Sequence, residues 1–460
     1  MLLNDSRLDV NCQDRVEQTP LLYALLHRKS SMACKILEHY DTSAIIKDDQ
    51  GRTALWYAID NCEERLIQQL LKKGSSIGDP DYTGFSPLSV AIDQGNLDSV
   101  NMLLSSMAQF GQRGRCFPTA DADEMEPPLC LAVRKRQAKI ACLLLSHGDQ
   151  VNSRDFYQRS PLHIAVENGD IKNTAMLLSW DGIELNTTDL YGRTALHIAA
   201  ELGHNVIFQL LLTGTGINLK AVDRDQRTVL HEASKNGNIL MVEMLLRMKE
   251  VELNAKDIDG ATALCLARDK QIIQLILAQD GVDVNAVGLT DTGALHHAVE
   301  DADFLTARIL LQHVELNLNQ MDHMEWTPLC HATFNGDLAM VELLLSRADI
   351  DVNKSNPSPL FIAARDGHVH IFNRLFRVQG VSLHQTWCGE SPLEVIASRN
   401  RCEFVKILVE QHRKQDPGVS TSCVARALEV AKQWGHSDLI RLLLDISPSN
   451  GSARSHLHNP

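Results

Sequence analysis

Histidine, cysteine and paired carboxylates are the side chains of this sequence with the capacity for chemistry, and their spacing decides whether they can use it. The chain has 19 histidines and 11 cysteines. His163, His197, His231 and His296 recur in one slot of a repeating pattern, and His204, His368 and His436 each follow a glycine. Periodic placement of this kind belongs to structural residues. His296 and His297 stand side by side, yet successive helical residues point about 100° apart, which argues against a shared metal ion. Asp48-Asp49 and Asp301-Ala302-Asp303 fall at turns or helix starts, where turn propensity and solvation explain them. Asp121, Asp123, Glu124 and Glu126 lack the spaced ligands and central glycine of a calcium loop. The cysteines run from Cys12 to Cys423 without a C-x-x-C pair, and three of them (Cys130, Cys265, Cys330) take the histidine slot, so they read as reduced core thiols. Phosphate-binding glycine loops, H-E-x-x-H and G-x-S-x-G are missing from the sequence. No catalytic residue, metal site or cofactor is expected.

The elements that hold these residues are clearest from Leu185 to Leu212, LNTTDLYGRTALHIAAELGHNVIFQLLL. Thr194 stands where a helix N-cap belongs. Leu196, Ala199 and Ala200 form a narrow apolar face, and Gly203 ends the helix. Val206, Ile207, Leu210 and Leu211 then give a second helix its apolar spacing. Helices this short cannot bury a face alone, so the unit must stack on copies of itself. Aligning the Thr slot gives thirteen positions: Thr19, Thr53, Ser86, Pro127, Ser160, Thr194, Thr228, Thr262, Gly293, Thr327, Ser358, Ser391 and Arg426. The spacing is 31–35 residues except for one step of 41. Pro fills the next position at Pro20, Pro87, Pro161, Pro328, Pro359 and Pro392, as suits the first residue of a helix.

The T-A-L-H-I-A run with Gly203-His204 at this period resembles an ankyrin repeat. The resemblance covers nearly the whole chain and extends to the long, loosely consensus arrays abundant in filamentous fungi. It implies an all-α fold, a solenoid of about thirteen helix-turn-helix repeats joined by β-turn fingers. It further implies that the slot histidines hydrogen-bond neighbouring turns.

Departures from the period divide the chain. Residues 1–18 read as the back half of a repeat ending in Val10-Asn11, an element that recurs at Val151-Asn152, Leu185-Asn186, Leu253-Asn254, Val284-Asn285 and Val352-Asn353. Such an uncapped end predicts a covering partner, self-association with a second copy, or descent from a longer protein that lost its front. Repeats span 19–104 and 127–446, the last of them polar enough to be a cap. Residues 105–126 form an inserted loop, and 447–460 a disordered tail. The eighth repeat is shortened after Ala267, and the turn at Lys354–Ser358 is compressed.

A net charge of −14 disfavours direct nucleic-acid binding, whose affinity comes from neutralising phosphates. No apolar run approaches the roughly 18 residues of a membrane span, and MLLNDSRLDV does not have the pattern of a signal peptide. The expected location is cytoplasmic, nuclear or both.

Function is therefore expected on a surface. The resemblance implies a concave binding face made of turn tips and first helices. Carried over by position, its residues are Phe156, Tyr157, Arg159, Leu190, Tyr191, Arg193, Leu202, Arg224 and Arg227, with Met324, Trp326 and Phe334 as a second group. Aromatic tips have no packing need to be there, so they read as an interaction patch. The arginine row (Arg52, Arg159, Arg193, Arg227) reads equally as surface residues paired with neighbouring aspartates. A non-catalytic scaffold or adaptor for one or more proteins is the expected role. The alternative is a transcription co-regulator, for example of a biosynthetic gene cluster, acting through bound proteins rather than DNA.

Overall fold

A hydroxyl or other small residue followed by Pro, Ala or Val sets the start of each first helix. In the computed structural model, which describes residues 9–110, 126–412 and 421–446, twelve of the thirteen slot residues, Thr19 to Ser391, immediately precede a helix. At Thr19, Thr53, Ser86, Ser160, Thr194, Ser358 and Ser391 the side chain accepts a hydrogen bond from the amide three residues on. Each such cap stabilises its helix by about 1 kcal/mol. Gly203 closes the helix Ala195–Leu202 with φ 72°, a left-handed conformation that costs a glycine nothing.

The 26 helices of the described residues fall into thirteen consecutive pairs. Beyond them, β-structure among those residues amounts to two isolated bridges, Val287 with Gly293 and Trp387 with Glu390. The chain divides into two compact units, 1–224 with the first six pairs and 225–460 with the other seven. The first helix of the sixth repeat is buried almost all round. In Ala195–Leu202 every residue from Ala195 to Ala200 is buried, and the helix packs on Pro161–Glu167 and on its own partner Asn205–Leu212.

The second helix of this repeat corrects the expected apolar set. Ile207, Phe208 and Leu211 are buried, whereas Val206 is 54% exposed and Leu210 only half-buried. The helix packs on Ala195–Leu202 and on Ile171–Leu178 along one stripe, and Val206 lies a helical step off it.

Adjacent repeats are joined through an asparagine amide. In the first unit Asn186 Nδ2 donates to Gly216 O (2.7 Å) and its Oδ1 accepts from the Asn218 amide (2.8 Å). Asn11 and Asn152 bridge in the same way. In the second unit Asn254, Asn285, Asn319 and Asn353 repeat it. The Val/Leu-Asn element is thus a joint.

Two boundaries differ from expectation. The helix Leu97–Phe110 runs on through residues 105–110, burying Met107, so the insertion begins later than 105. Residues 111–125 lie outside the described residues, as do 1–8 and the tail 447–460. Arg426 does not precede its helix as the other twelve slot residues do; it sits inside the helix Thr421–Gln433. The eighth first helix is a single turn, Ala263–Leu266, and Asp269 at once caps the next helix through the Gln271 amide (2.7 Å).

Candidate functional site

Several fingers are built on a buried aspartate: Asp48, Asp81, Asp155, Asp189, Asp257 and Asp322. In the sixth repeat Asp189 Oδ1 accepts from the amides of Tyr191 (2.8 Å) and Arg193 (2.9 Å), which fixes the turn. Its Oδ2 accepts from Arg193 Nε and Nη2, and Arg193 Nη1 reaches Glu201 at 2.6 Å. The fifth repeat copies this with Asp155, Arg159 and Glu167. Arg159 and Arg193 also lie against the rings of Tyr157 and Tyr191, 4.8 and 5.1 Å from the centroids. Their donors are engaged within the chain, so these arginines hold the tyrosines in place.

The tip residues themselves point outward. Phe156 is 77% exposed, and Tyr157, Leu190, Tyr191 and Leu202 are each 40–55% exposed. Phe156 packs edge-on to Tyr157 at 5.5 Å. The Leu190 amide bonds Tyr157 O, and the Arg224 amide bonds Tyr191 O, both at 2.9 Å, so successive tips are tied together through backbone. Arg224 is exposed beside them. The first unit therefore carries exposed aromatic and apolar tips whose backbones are hydrogen-bonded from one finger to the next.

In the second unit Arg227 faces Asp225, Glu232 and Asp257 at 3.1–3.7 Å. Met324 and Phe334 are each 49% exposed, and Trp326 is half-buried, edge-on to Phe334 at 5.3 Å. Trp326 stands where the fifth and sixth repeats have arginine, and the buried Asp322 takes His331 instead, at 2.7 Å. Burial alone would raise the Asp322 carboxyl, but the amides of Trp326 and Met324 and the His331 ring outweigh it and hold it below the usual range.

The slot histidines are structural. His163 Nε2–H donates to Arg193 O (3.1 Å), and its Nδ1 faces the amide and hydroxyl of its own cap, Ser160. His231 does likewise with Ala261 O (3.2 Å) and Thr228. Burial lowers the pKa of His163 and His296 to about 4 and lowers that of His231, so they are neutral near pH 7. The histidines after glycine pack on the preceding repeat: a Cβ on Gly336 would stand 2.8 Å from the His368 ring. Cys130, Cys265 and Cys330 are buried in the histidine slot, and burial pushes the Cys130 and Cys330 thiols up, away from a reactive thiolate. Among the described residues no group of three His, Cys, Asp or Glu is placed to hold a metal ion.

Sequence reasoning missed further exposed tips. Tyr82 (74%) in the first unit, and Ile258 (62%) and Leu289 (77%) in the second, share the slot of Phe156 and Leu190. The signal was present in the first two, each an apolar residue directly after the finger aspartate (Asp81, Asp257).

Buried finger aspartates, capped first helices and histidines donating across to the next finger recur from repeat to repeat. The family model for ankyrin repeats (3 copies) matches this chain at residues 1–81, 34–114, 115–189, 182–257, 261–356 and 360–453. The chain belongs to the ankyrin-repeat family. Ankyrin repeats are protein-interaction modules, and the family is typically non-catalytic. Among curated relatives, the mouse B-cell lymphoma 3 protein homolog is 30% identical over 166 residues, 35% of this chain and 35% of that protein. Alpha-latrotoxin-Lh1a of Latrodectus hasselti is 30% identical over 26% of this ankyrin-repeat chain and 9% of the toxin. Mouse Rabankyrin-5 is 28% identical over 31% and 12%. The matched segments thus span about a third or less of these relatives. Among the described residues, no helix of this ankyrin array is long and apolar enough to cross a membrane.

Proposed function

We propose that this ankyrin-repeat chain is a non-catalytic scaffold or adaptor that binds partner proteins on its tip-and-first-helix face, with Phe156, Tyr157, Leu190 and Tyr191 at the centre of the contact. The observation that carries the reading is a set of exposed apolar side chains on an ordered base. Phe156 is 77% exposed while its neighbour Tyr157 is braced by Arg159, itself held by Asp155 and Glu167. Rigid aromatics lose little freedom on binding and are enriched at energetic centres of interfaces. Arg159 and Arg193 act as positioning residues, Leu202 and Arg224 flank the patch, and Met324, Trp326 and Phe334 form a second surface in the other unit.

The test is affinity capture with mass spectrometry, comparing the native chain with Phe156→Ala, Tyr157→Ala and Tyr191→Ala combined. The arginines are left intact so that the buried aspartates keep their partners. Circular dichroism first establishes that both are folded. Proteins captured by the native chain should be lost from the variant. If both capture the same set, the patch is not the site. The co-regulator alternative uses the same surface, so the identity of the captured proteins and a localisation image separate it from a cytoplasmic adaptor.

A further inference from the structure

The eighth repeat meets the ninth in two places, at the asparagine joint and at the fingers with their first helices. The joint is intact. Asn254 Nδ2 donates to Gly281 O (2.7 Å), and its Oδ1 accepts from the Asp283 amide (2.8 Å). The finger side is not. Fingers on either side are linked through backbone, the Ile258 amide to Asp225 O (2.8 Å) between repeats seven and eight and the His323 amide to Thr290 O (3.0 Å) between nine and ten. The equivalent Leu289 amide makes no backbone hydrogen bond to the eighth finger among the described residues. Gly288 stands in the ninth finger where the eighth and tenth have the buried Asp257 and Asp322.

What packs across this side is small and weakly held. The first helix Ala263–Leu266 is one turn, whereas the other first helices of the unit run seven residues or more. The buried contact is made by Ala261, Cys265 and Ala286, with Leu266 beside them, and small side chains remove little apolar surface from water. The slot residue reaches Ala286 O (3.1 Å) with a thiol, a weaker donor than the imidazole that His231 extends to Ala261 O. The remaining link is Arg268 with Asp301 at 2.6 Å, both more than half exposed, and such surface pairs contribute little. Between repeats ten and eleven, where no backbone bond joins the fingers among the described residues either, the buried hydroxyls of Thr327 and Ser355 close at 2.9 Å instead.

We propose that the array is hinged here: the eighth and ninth fingers separate about the Asn254 joint, so the finger side opens while the joint stays closed. Motions of this kind draw on the least stable contacts of a fold, and this interface supplies them beside a fixed pivot. Opening uncovers Cys265 and changes the spacing of Ile258 and Leu289, the exposed tips on either side. The tip face is thereby given two widths at one place along the unit. The hinge is a property of the chain alone and does not depend on which protein that face binds.

Three buried cysteines in the histidine slot provide the test, Cys130 and Cys330 at 0% exposure and Cys265 at 2%. The full native chain is treated with iodoacetamide, and labelling at each cysteine is followed by peptide mass spectrometry. A buried thiol reacts only when the structure over it opens, so its rate reports how often that happens. Cys265 should be labelled at least about tenfold faster than Cys130 and Cys330. A cross-link then closes the hinge. The Cβ of Ala261 lies 3.4 Å from where a Cβ on Gly288 would stand, near the separation of about 3.8 Å found in disulfides. In the oxidised variant Ala261→Cys with Gly288→Cys, its disulfide confirmed by peptide mapping, labelling of Cys265 should fall to the rate of the other two. Equal rates at the three thiols of the native chain overturn the proposal, as does undiminished labelling of Cys265 in the cross-linked chain. The first comparison needs no substitution, so it decides whether or not the variant folds.

Discussion

At the scale of single residues, Asp149 gives the sharpest prediction. It is only 8% exposed, its Oδ2 has no hydrogen-bond partner, and burial lifts its carboxyl to about 7 from an ordinary 3.8. The folded chain then holds a proton that the unfolded chain has lost, so Asp149 lowers stability progressively as pH rises from about 4 to about 7. Asp149→Asn should raise the unfolding free energy at pH 8 by about 2–4 kcal/mol and change it little at pH 4, read by urea denaturation at both values. His163 and His296 act with the opposite sign. Their folded pKa of about 4 lies below the ordinary 6.5, so stability falls as pH drops between those values. Asp149→Asn removes the compensating proton uptake, and acid loss below pH 6.5 should become steeper in the variant; a parallel pair of stability curves would contradict this. Residue roles were unevenly legible in the sequence. The histidines were, because their slot recurs. The exposure of Phe156 and Tyr157 was, because a turn tip offers an aromatic nothing to pack on. Asp149 was not, since an aspartate after a glycine reads as a solvated turn until burial is known.

At the scale of elements, the fold was readable where a residue type serves one backbone purpose. Thr194 and Ser160 marked helix starts correctly because a short hydroxyl there reaches the third amide. Arg426 misled because aligning the slot by period does not show where a helix begins, and Val206 because a run of apolar residues leaves the buried stripe open by one step. Thr194→Ala should cost about 1 kcal/mol, as loss of a cap does. Asn186→Ala removes two hydrogen bonds between repeats and should cost about 1–2 kcal/mol, read as a shift in urea midpoint.

At the scale of the molecule, each unit is a series of neighbours and nothing more. Stability in such arrays is close to a sum of repeat and interface terms, so damage stays local. Asn186→Ala should therefore speed amide hydrogen exchange in the fifth and sixth helix pairs and leave the helices Ser30–Leu37 and Ser437–Leu444 unchanged, as measured by exchange mass spectrometry. Uniform acceleration along the chain would show cooperativity that the array does not predict. The asparagine joint has a consequence of another kind. Asn186 touches Gly216 and Asn218 only through main-chain atoms, which every amino acid except proline supplies alike. The joint is blind to the side chains of the repeat it holds. A gene encoding such a chain can gain or lose one whole period by unequal crossing-over and still present a fitting edge on both sides of the break, so array length can vary freely in descent while the surface of each retained repeat is selected on its own.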